Sequence, residues 1–173
     1  MTELDLKEKV RDVHDFPKPG IVFKDIMPLL ADPEALRTTV DRLAEWAEPR
    51  RPDVILGAEA RGFITGGALA CRLGCGFVPA RKPGKLPWRT VSAKYALEYG
   101  FDALEVHADS IIRGQRVLVH DDVLATGGTA KAKCDLVEQL GGEVVGAAFI
   151  ISLEFLNGRD RLSDYDVHSL IQY

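Results

Sequence analysis

Val117-Leu118-Val119-His120-Asp121-Asp122-Val123-Leu124-Ala125-Thr126-Gly127-Gly128-Thr129 joins an apolar run to two adjacent carboxylates and then to a Gly-Gly turn. An unbroken apolar run is a strand buried on both faces, which places it inside a parallel sheet covered by helices. In open sheets of that kind ligands sit at the carboxyl ends of the strands. The turn from Ala125 to Thr129 offers backbone N–H groups and two hydroxyls at a helix N-terminus, which suit a phosphate. Asp121 and Asp122 repel a phosphate; they suit neighbouring hydroxyls of a sugar, or a divalent cation bridging sugar and phosphate. A diol beside a monophosphate describes a ribose 5-phosphate. Strand capping and plain chain reversal would explain an isolated Gly-Gly, but not the whole string. A P-loop ATPase is a poorer reading, because no G-x-x-x-x-G-K-[ST] occurs and no lysine follows Gly128 directly.

Working outward, the chain alternates strand and helix. Asp32-Pro33-Glu34 is a helix start, with Leu36, Val40, Leu43 and Ala47 at helical spacing until Pro49. Asp53 to Gly57 reads as a strand, Phe63 to Leu73 as a helix, and Gly76 to Ala80 as a second strand. Thr90 to Glu98 reads as a returning strand and Arg116 to His120 as a third core strand. Gly128 to Leu140 reads as a helix with Ala130, Cys134, Val137 and Gly141 on one face, and Val144 to Ile151 as a fourth strand. The expected architecture is α/β, a parallel sheet flanked by helices, forming one domain over 1–173. The first forty residues and the C-terminal tail are expected to fold on it as a small hood.

The 173 residues carry 22 Lys plus Arg against 26 Asp plus Glu, a balance that argues against nucleic acid or an anionic membrane as partner. No stretch approaches the roughly 20 apolar residues of a membrane span, and Met1 to Val13 lacks a signal-like apolar core, so the expected compartment is the cytoplasm. Cys71, Cys75 and Cys134 lack the second ligand pair of a zinc site and read as buried small hydrophobes. The cations are unevenly placed. From Ala60 to Leu97 there is no acid, yet Arg61, Arg72, Arg81, Lys82, Lys85, Arg89 and Lys94 occur, leaving fifteen cations among 26 acids elsewhere. Such a patch suits a polyanionic small molecule, with Arg72 and Lys94 read as solvated surface. Arg81 to Arg89 holds four cations, two prolines and a glycine, so it is a loop, and it is expected to act as a lid over an anion.

Taken in order, several segments resemble the type I phosphoribosyltransferases, and within them the members that act on adenine. These are Asp15-Phe16-Pro17-Lys18-Pro19-Gly20-Ile21-Val22-Phe23-Lys24-Asp25, Glu59-Ala60-Arg61-Gly62-Phe63, Arg81-Lys82-Pro83-Gly84-Lys85-Leu86-Pro87, Leu97-Glu98-Tyr99-Gly100 and Asp122 to Thr129. The resemblance implies transfer of a phosphoribosyl group from 5-phosphoribosyl 1-diphosphate to adenine, with Mg²⁺, giving AMP and diphosphate. It implies a homodimer in which the neighbouring subunit supplies part of the basic lining. Mg²⁺ would be held mainly by the substrate's diphosphate and ribose, with Asp121 or Asp122 as the protein's contribution.

By the same resemblance, Phe23 stacks on adenine, the Val22 backbone reads its edge, and Lys24 belongs to the same binding segment. Glu59, Ala60 and Arg61 form the diphosphate loop, with a cis peptide expected between Glu59 and Ala60 and Arg61 holding the leaving group. Arg81, Lys82 and Lys85 contact the diphosphate. Asp121 and Asp122 face the ribose, while Leu124, Ala125, Thr126, Gly127, Gly128 and Thr129 surround the 5-phosphate. Glu98 matches the acid/base beside the purine nitrogens, and Tyr99 and Tyr95 pack the lid or belong to ordinary core. Two other readings stay open here: transfer to hypoxanthine, guanine or xanthine, and a regulator that keeps the pocket without turnover. Val22-Phe23 and Leu97 to Gly100 argue against the former, and a length with no room for an added binding domain argues against the latter. His120 stands where an aliphatic is usual and reads as a buried, neutral, hydrogen-bonded histidine. His14, His107 and His168 fall in no ligand spacing.

Overall fold

The computed structural model describes residues 4–96 and 100–173. The chain opens with a short antiparallel hairpin, β1 (Arg11–His14) and β2 (Val22–Asp25), then α1 (Met27–Ala31) and α2 (Pro33–Ala47). β3 (Val54–Ala58), α3 (Arg61–Leu73) and β4 (Gly76–Ala80) make the first βα unit. An excursion of two antiparallel strands follows, β5 (Thr90–Ala96) and β6 (Phe101–His107). β7 (Arg116–Leu124), α4 (Gly128–Gln139), β8 (Glu143–Ser152) and β9 (Val167–Gln172) complete the chain.

The main sheet is parallel in the order β4-β3-β7-β8-β9. Alternation along β7 sorts the core into two layers. Leu118 faces Leu43, Leu69 and Ile150 beneath α2 and α3. Val117 and Val119 face Cys134, Leu136 and Phe149 beneath α4, where Leu104 and Val106 of the hairpin close the layer. α2 starts as the sequence predicts: Asp32 accepts from the N–H groups of Glu34 (3.0 Å) and Ala35 (3.1 Å), and Pro33 fills the first position.

The structure differs from expectation in four places. β7 does not stop at His120 but runs to Leu124, because β8 continues beside it and pairs through Leu124↔Ser152. On its other side β3 pairs only as far as Gly57↔His120. The last four residues of β7, including both acids, therefore project past β3 and form one wall of a crevice. β6 answers the predicted returning strand and makes the excursion a hairpin. The C-terminal tail is not hood: β9 is the fifth strand of the main sheet, pairing with β8 from Ala147↔Val167 onward. Of the cysteines, only Cys134 is buried; Cys71 is exposed and Cys75 half-buried, since they flank the left-handed Gly74 that ends α3. Among the described residues no helix is long and apolar enough to cross a membrane.

Candidate active site

Consecutive strands leave β3 and β7 in opposite directions, to β4 and to β8, so a switch point falls between them. A cavity of about 390 Å³ opens there. Phe23 of the hood, Glu59 and Arg61 at the β3–α3 junction, Lys82, and Asp121 and Asp122 of β7 all line it. A hollow of about 70 Å³ continues it, formed by Ala125 to Thr129. A larger cleft, about 580 Å³, lies on the β5–β6 hairpin around Pro83, Tyr95 and Phe101, but Asp102 is its one acid among the described residues, and neither the Asp121–Asp122 pair nor the cradle lines it. Size does not select the site; the convergence of chemistry does.

The cradle is shaped by backbone approaching backbone. Gly127 has φ +83°, and a Cβ there would lie 2.4 Å from the carbonyl oxygen of Gly158. A Cβ on Gly158 would lie 2.2 Å from that of Ala125. The turn is thus pressed against the 158 segment as only glycine permits. No side chain caps α4, so its first-turn N–H groups are turned to the hollow. Leu124 contributes backbone alone, as its side chain is buried.

Alternation sends the two acids to opposite layers, and a cation from each layer meets them. On the α4 side, Asp121 Oδ2 accepts from Lys133 Nζ at 2.7 Å, while Oδ1 accepts from the Asp122 N–H at 3.1 Å. On the α3 side, Asp122 Oδ2 accepts from Arg61 Nε at 2.5 Å. Burial, and then the neighbouring charge of Asp121, push the Asp122 carboxyl up to about 6 against the pull of Arg61. The Arg61 guanidinium also lies 5.1 Å from the centre of the Phe23 ring, which packs edge-on against Phe16.

Glu59 organises the basic side. Its Oε1 accepts from the Lys82 N–H at 2.6 Å and its Oε2 from Arg81 at 3.1 Å, and the first of these chiefly holds its carboxyl below the usual range. The bond between Glu59 and Ala60 is cis, as expected. Lys82 is tied to Asp102 and donates to the Tyr95 hydroxyl at 3.2 Å.

The structure therefore gathers Val22, Phe23, Glu59, Arg61, Lys82, both acids, Ala125 and Thr129 around one cavity, with Thr126, Gly127 and Gly128 in its extension. Lys24 reaches the lining, yet its ammonium is bonded to Asp12 at 2.6 Å. Ala60, exposed, and Arg81, half-buried and bonded to Glu59, are not part of the lining, and Lys85 is exposed on the loop. Arg72 pairs with Asp41 at the surface. Glu98 and Tyr99 lie outside the described residues. Sequence reasoning missed Lys133, Asp102, Gly158 and the apolar lining residues Ile21 and Leu153. One signal was available for Lys133: it sits on the stripe of Ala130, Cys134 and Val137, where a lysine needs a buried partner.

An acid pair, a phosphate cradle and a ring at the switch point of a parallel sheet define an α/β protein of sugar phosphates and bases. A family model for the phosphoribosyl transferase domain matches residues 30–171. An adenine phosphoribosyltransferase of Thermotoga maritima is 55% identical over 173 residues, covering 100% of both chains. The crystal structure of adenine phosphoribosyltransferase from Thermoanaerobacter pseudethanolicus superposes with a TM-score of 0.95 at 52% identity, covering 97% of this chain and 98% of that one. That of Saccharomyces cerevisiae, complexed with an imino-altritol bisphosphate and adenine, gives 0.91 at 39% identity over 95% and 96% of the two chains. The chain belongs to the phosphoribosyltransferase family, on its adenine branch.

Proposed function

We propose that this chain transfers the phosphoribosyl group of 5-phosphoribosyl 1-diphosphate to adenine, giving AMP and diphosphate in purine salvage, as one domain built on one sheet. The observation that carries the reading is that a single cavity joins Phe23 to the acid pair and the cradle. The yeast relative's adenine and sugar bisphosphate support it.

The division of labour follows from where charge develops. Breaking the bond at the anomeric carbon leaves positive charge on the ribose and negative charge on the diphosphate, so both signs must be favoured together. Asp121 and Asp122 hold the diol on the side where the sugar becomes positive. Ala125 to Thr129 hold the 5-phosphate, and Arg61, backed by Arg81 and Lys82, receives the diphosphate. Phe23 stacks on the base, and the Val22 backbone offers the N–H and C=O that adenine needs. Hypoxanthine inverts that polarity and leaves buried groups unpaired. Glu98 takes the proton at the base's N9, and Glu98→Gln is expected to lower kcat with little change in either KM.

Mg²⁺ fits the donor set as an ion carried by the substrate. Among the described residues no three His, Cys, Asp or Glu side chains converge as a metal site. The three carboxylates of the cavity are already engaged, Asp121 by Lys133, Asp122 by Arg61, and Glu59 by Arg81 and the Lys82 N–H. Mg²⁺ commonly binds through one or two carboxylates plus substrate phosphates, so Asp121 or Asp122 would add at most one ligand to the diphosphate and ribose oxygens. When bound, the ion neutralises charge on the leaving group.

A homodimer is part of this reading, supported by Ile64, 49% exposed on α3 beside the diphosphate loop, and Trp88, 62% exposed on the basic loop. Sedimentation would detect it. Three free cysteines go with a reducing, cytoplasmic setting. The deciding experiment mixes protein, Mg²⁺ and phosphoribosyl diphosphate with each purine in turn. AMP alone is expected; IMP or GMP would move the base, and no nucleotide in any tube would favour a regulator.

A further inference from the structure

A buried lysine under the acid pair is not accounted for by any of these roles. Lys133 lies on the second turn of α4, on the face that Ala130, Cys134 and Val137 pack into the core, and its side chain is fully buried. Its ammonium donates to the His120 carbonyl oxygen at 2.7 Å and to Asp121 Oδ2 at 2.7 Å. Taking an ammonium and a carboxylate out of water is costly, and apolar side chains of similar volume often serve a fold equally well or better. Its neighbours on the helix, Ala130, Cys134 and Val137, are buried apolar residues. Stability alone does not call for the charge.

What the lysine does supply is a fixed Asp121. That carboxylate is held from three sides: by Lys133 below, by the Asp122 N–H, and by α3, whose Gly62 comes so close that a Cβ there would lie 2.6 Å from Asp121 Oδ1. Asp122 is held by Arg61, a side chain 37% exposed and reaching toward Phe23. The two acids are therefore unequal, one anchored from the interior and one held by a residue of the cavity wall. Lys133 also places a positive charge beneath the helix whose first turn is the cradle, offsetting a carboxylate where a phosphate must approach.

We propose that Lys133 is a positioning residue for the phosphoribosyl substrate: it orients Asp121 toward the ribose hydroxyls and offsets its charge beside the 5-phosphate. The proposal rests on the reading that Asp121 contacts the sugar, and the test separates the two. Ribose 5-phosphate is the probe, because it carries the diol and the phosphate without the diphosphate; inorganic diphosphate is the control. Binding of each is measured by calorimetry on the full chain, beside steady-state KM values for adenine and phosphoribosyl diphosphate.

Lys133→Met is expected to weaken ribose 5-phosphate by about tenfold or more, the usual scale for a lost charge-assisted contact. The KM for phosphoribosyl diphosphate should rise with it, and the KM for adenine and the affinity for diphosphate should stay unchanged. Asp121→Asn should weaken the same probe, and the double variant should be no worse than either single one. Wild-type affinity in Lys133→Met, with loss in Asp121→Asn, would overturn the positioning role alone. Wild-type affinity in Asp121→Asn would overturn the sugar contact itself. Equal loss of all ligands would reduce Lys133 to a structural part and also overturn the proposal. Should Lys133→Met fail to fold, Lys133→Gln keeps a donor without the charge; the same loss is expected, and unchanged affinity would overturn the proposal.

Discussion

His120 shows how a single residue can be placed in a strand by its neighbours rather than by its own preference. Its ring is fully buried, with Nδ1 2.9 Å from the Ala148 carbonyl oxygen and Nε2 2.7 Å from Thr65 Oγ1. A carbonyl only accepts, so Nδ1 carries the hydrogen and Nε2 accepts from the threonine hydroxyl, which satisfies a neutral ring completely. Burial pulls its pKa down to about 4, with Asp121 and Lys133 acting in opposite senses. The unfolded chain therefore takes up a proton near pH 6.5 that the folded chain refuses. Stability from this residue is complete above that pH and is lost as pH falls toward 4, by about 3 kcal/mol between pH 7.5 and pH 4. Urea titrations at the two pH values measure it. In His120→Val the acid limb should flatten by that amount, although the variant is less stable at pH 7.5 because Thr65 loses its partner. Curves that stay parallel would show that the acid sensitivity arises elsewhere.

At the scale of elements, the cradle turn is held by contact between Gly127 and Gly158, 31 positions further along the chain. Gly127→Ala combines the left-handed penalty for a side chain, about 1–2 kcal/mol, with a Cβ 2.4 Å from a backbone oxygen that has no rotamer to escape through. Thermal melts are expected to show destabilisation of at least about 2 kcal/mol, with ribose 5-phosphate binding lost. Gly84→Ala, at φ +78° with open space around it, should cost only the strain and leave ribose 5-phosphate binding intact. The same contrast explains what was legible in the sequence. Strands buried on both faces announce themselves as apolar runs, and α2 announces itself by its cap, so β3, β4, β7, β8 and the three long helices could be read. β6 could not, because only Leu104 and Val106 of Phe101–His107 are buried, too short an alternation to stand out beside an exposed Phe101 and two acids. The acids, cradle and Phe23 were readable as types in order. Their pairing with Arg61 and Lys133 was not, since it depends on which face of β7 each acid takes once the strand runs past β3.

On the scale of the whole molecule, the C-terminal strand meets Lys7 and Lys24 of the hood, and its composition kept it out of the sequence reading. Val167–Gln172 mixes His, Ser and Gln with aliphatics, a pattern suited to an edge strand with one covered face. Its placement delivers Tyr173 to the N-terminal hairpin. The Tyr173 backbone is bonded to Ser152 at 3.1 Å and Glu154 at 2.9 Å. Its ring carries two ammonium groups, Lys7 at 4.3 Å and Lys24 at 4.0 Å from its centre, and Lys24 directly follows the ring proposed to stack on adenine. Each cation over an aromatic face contributes about 0.5–1 kcal/mol. Tyr173→Ala should therefore lower stability by about 1–2 kcal/mol in denaturant titration. It should also raise the KM for adenine more than that for phosphoribosyl diphosphate, because β2 loses its tie to the sheet while the cradle keeps its own. Tyr173→Phe keeps the ring and should behave as wild type. Equal shifts in both KM values would mean that the C-terminal ring supports the sheet as a whole rather than the hood.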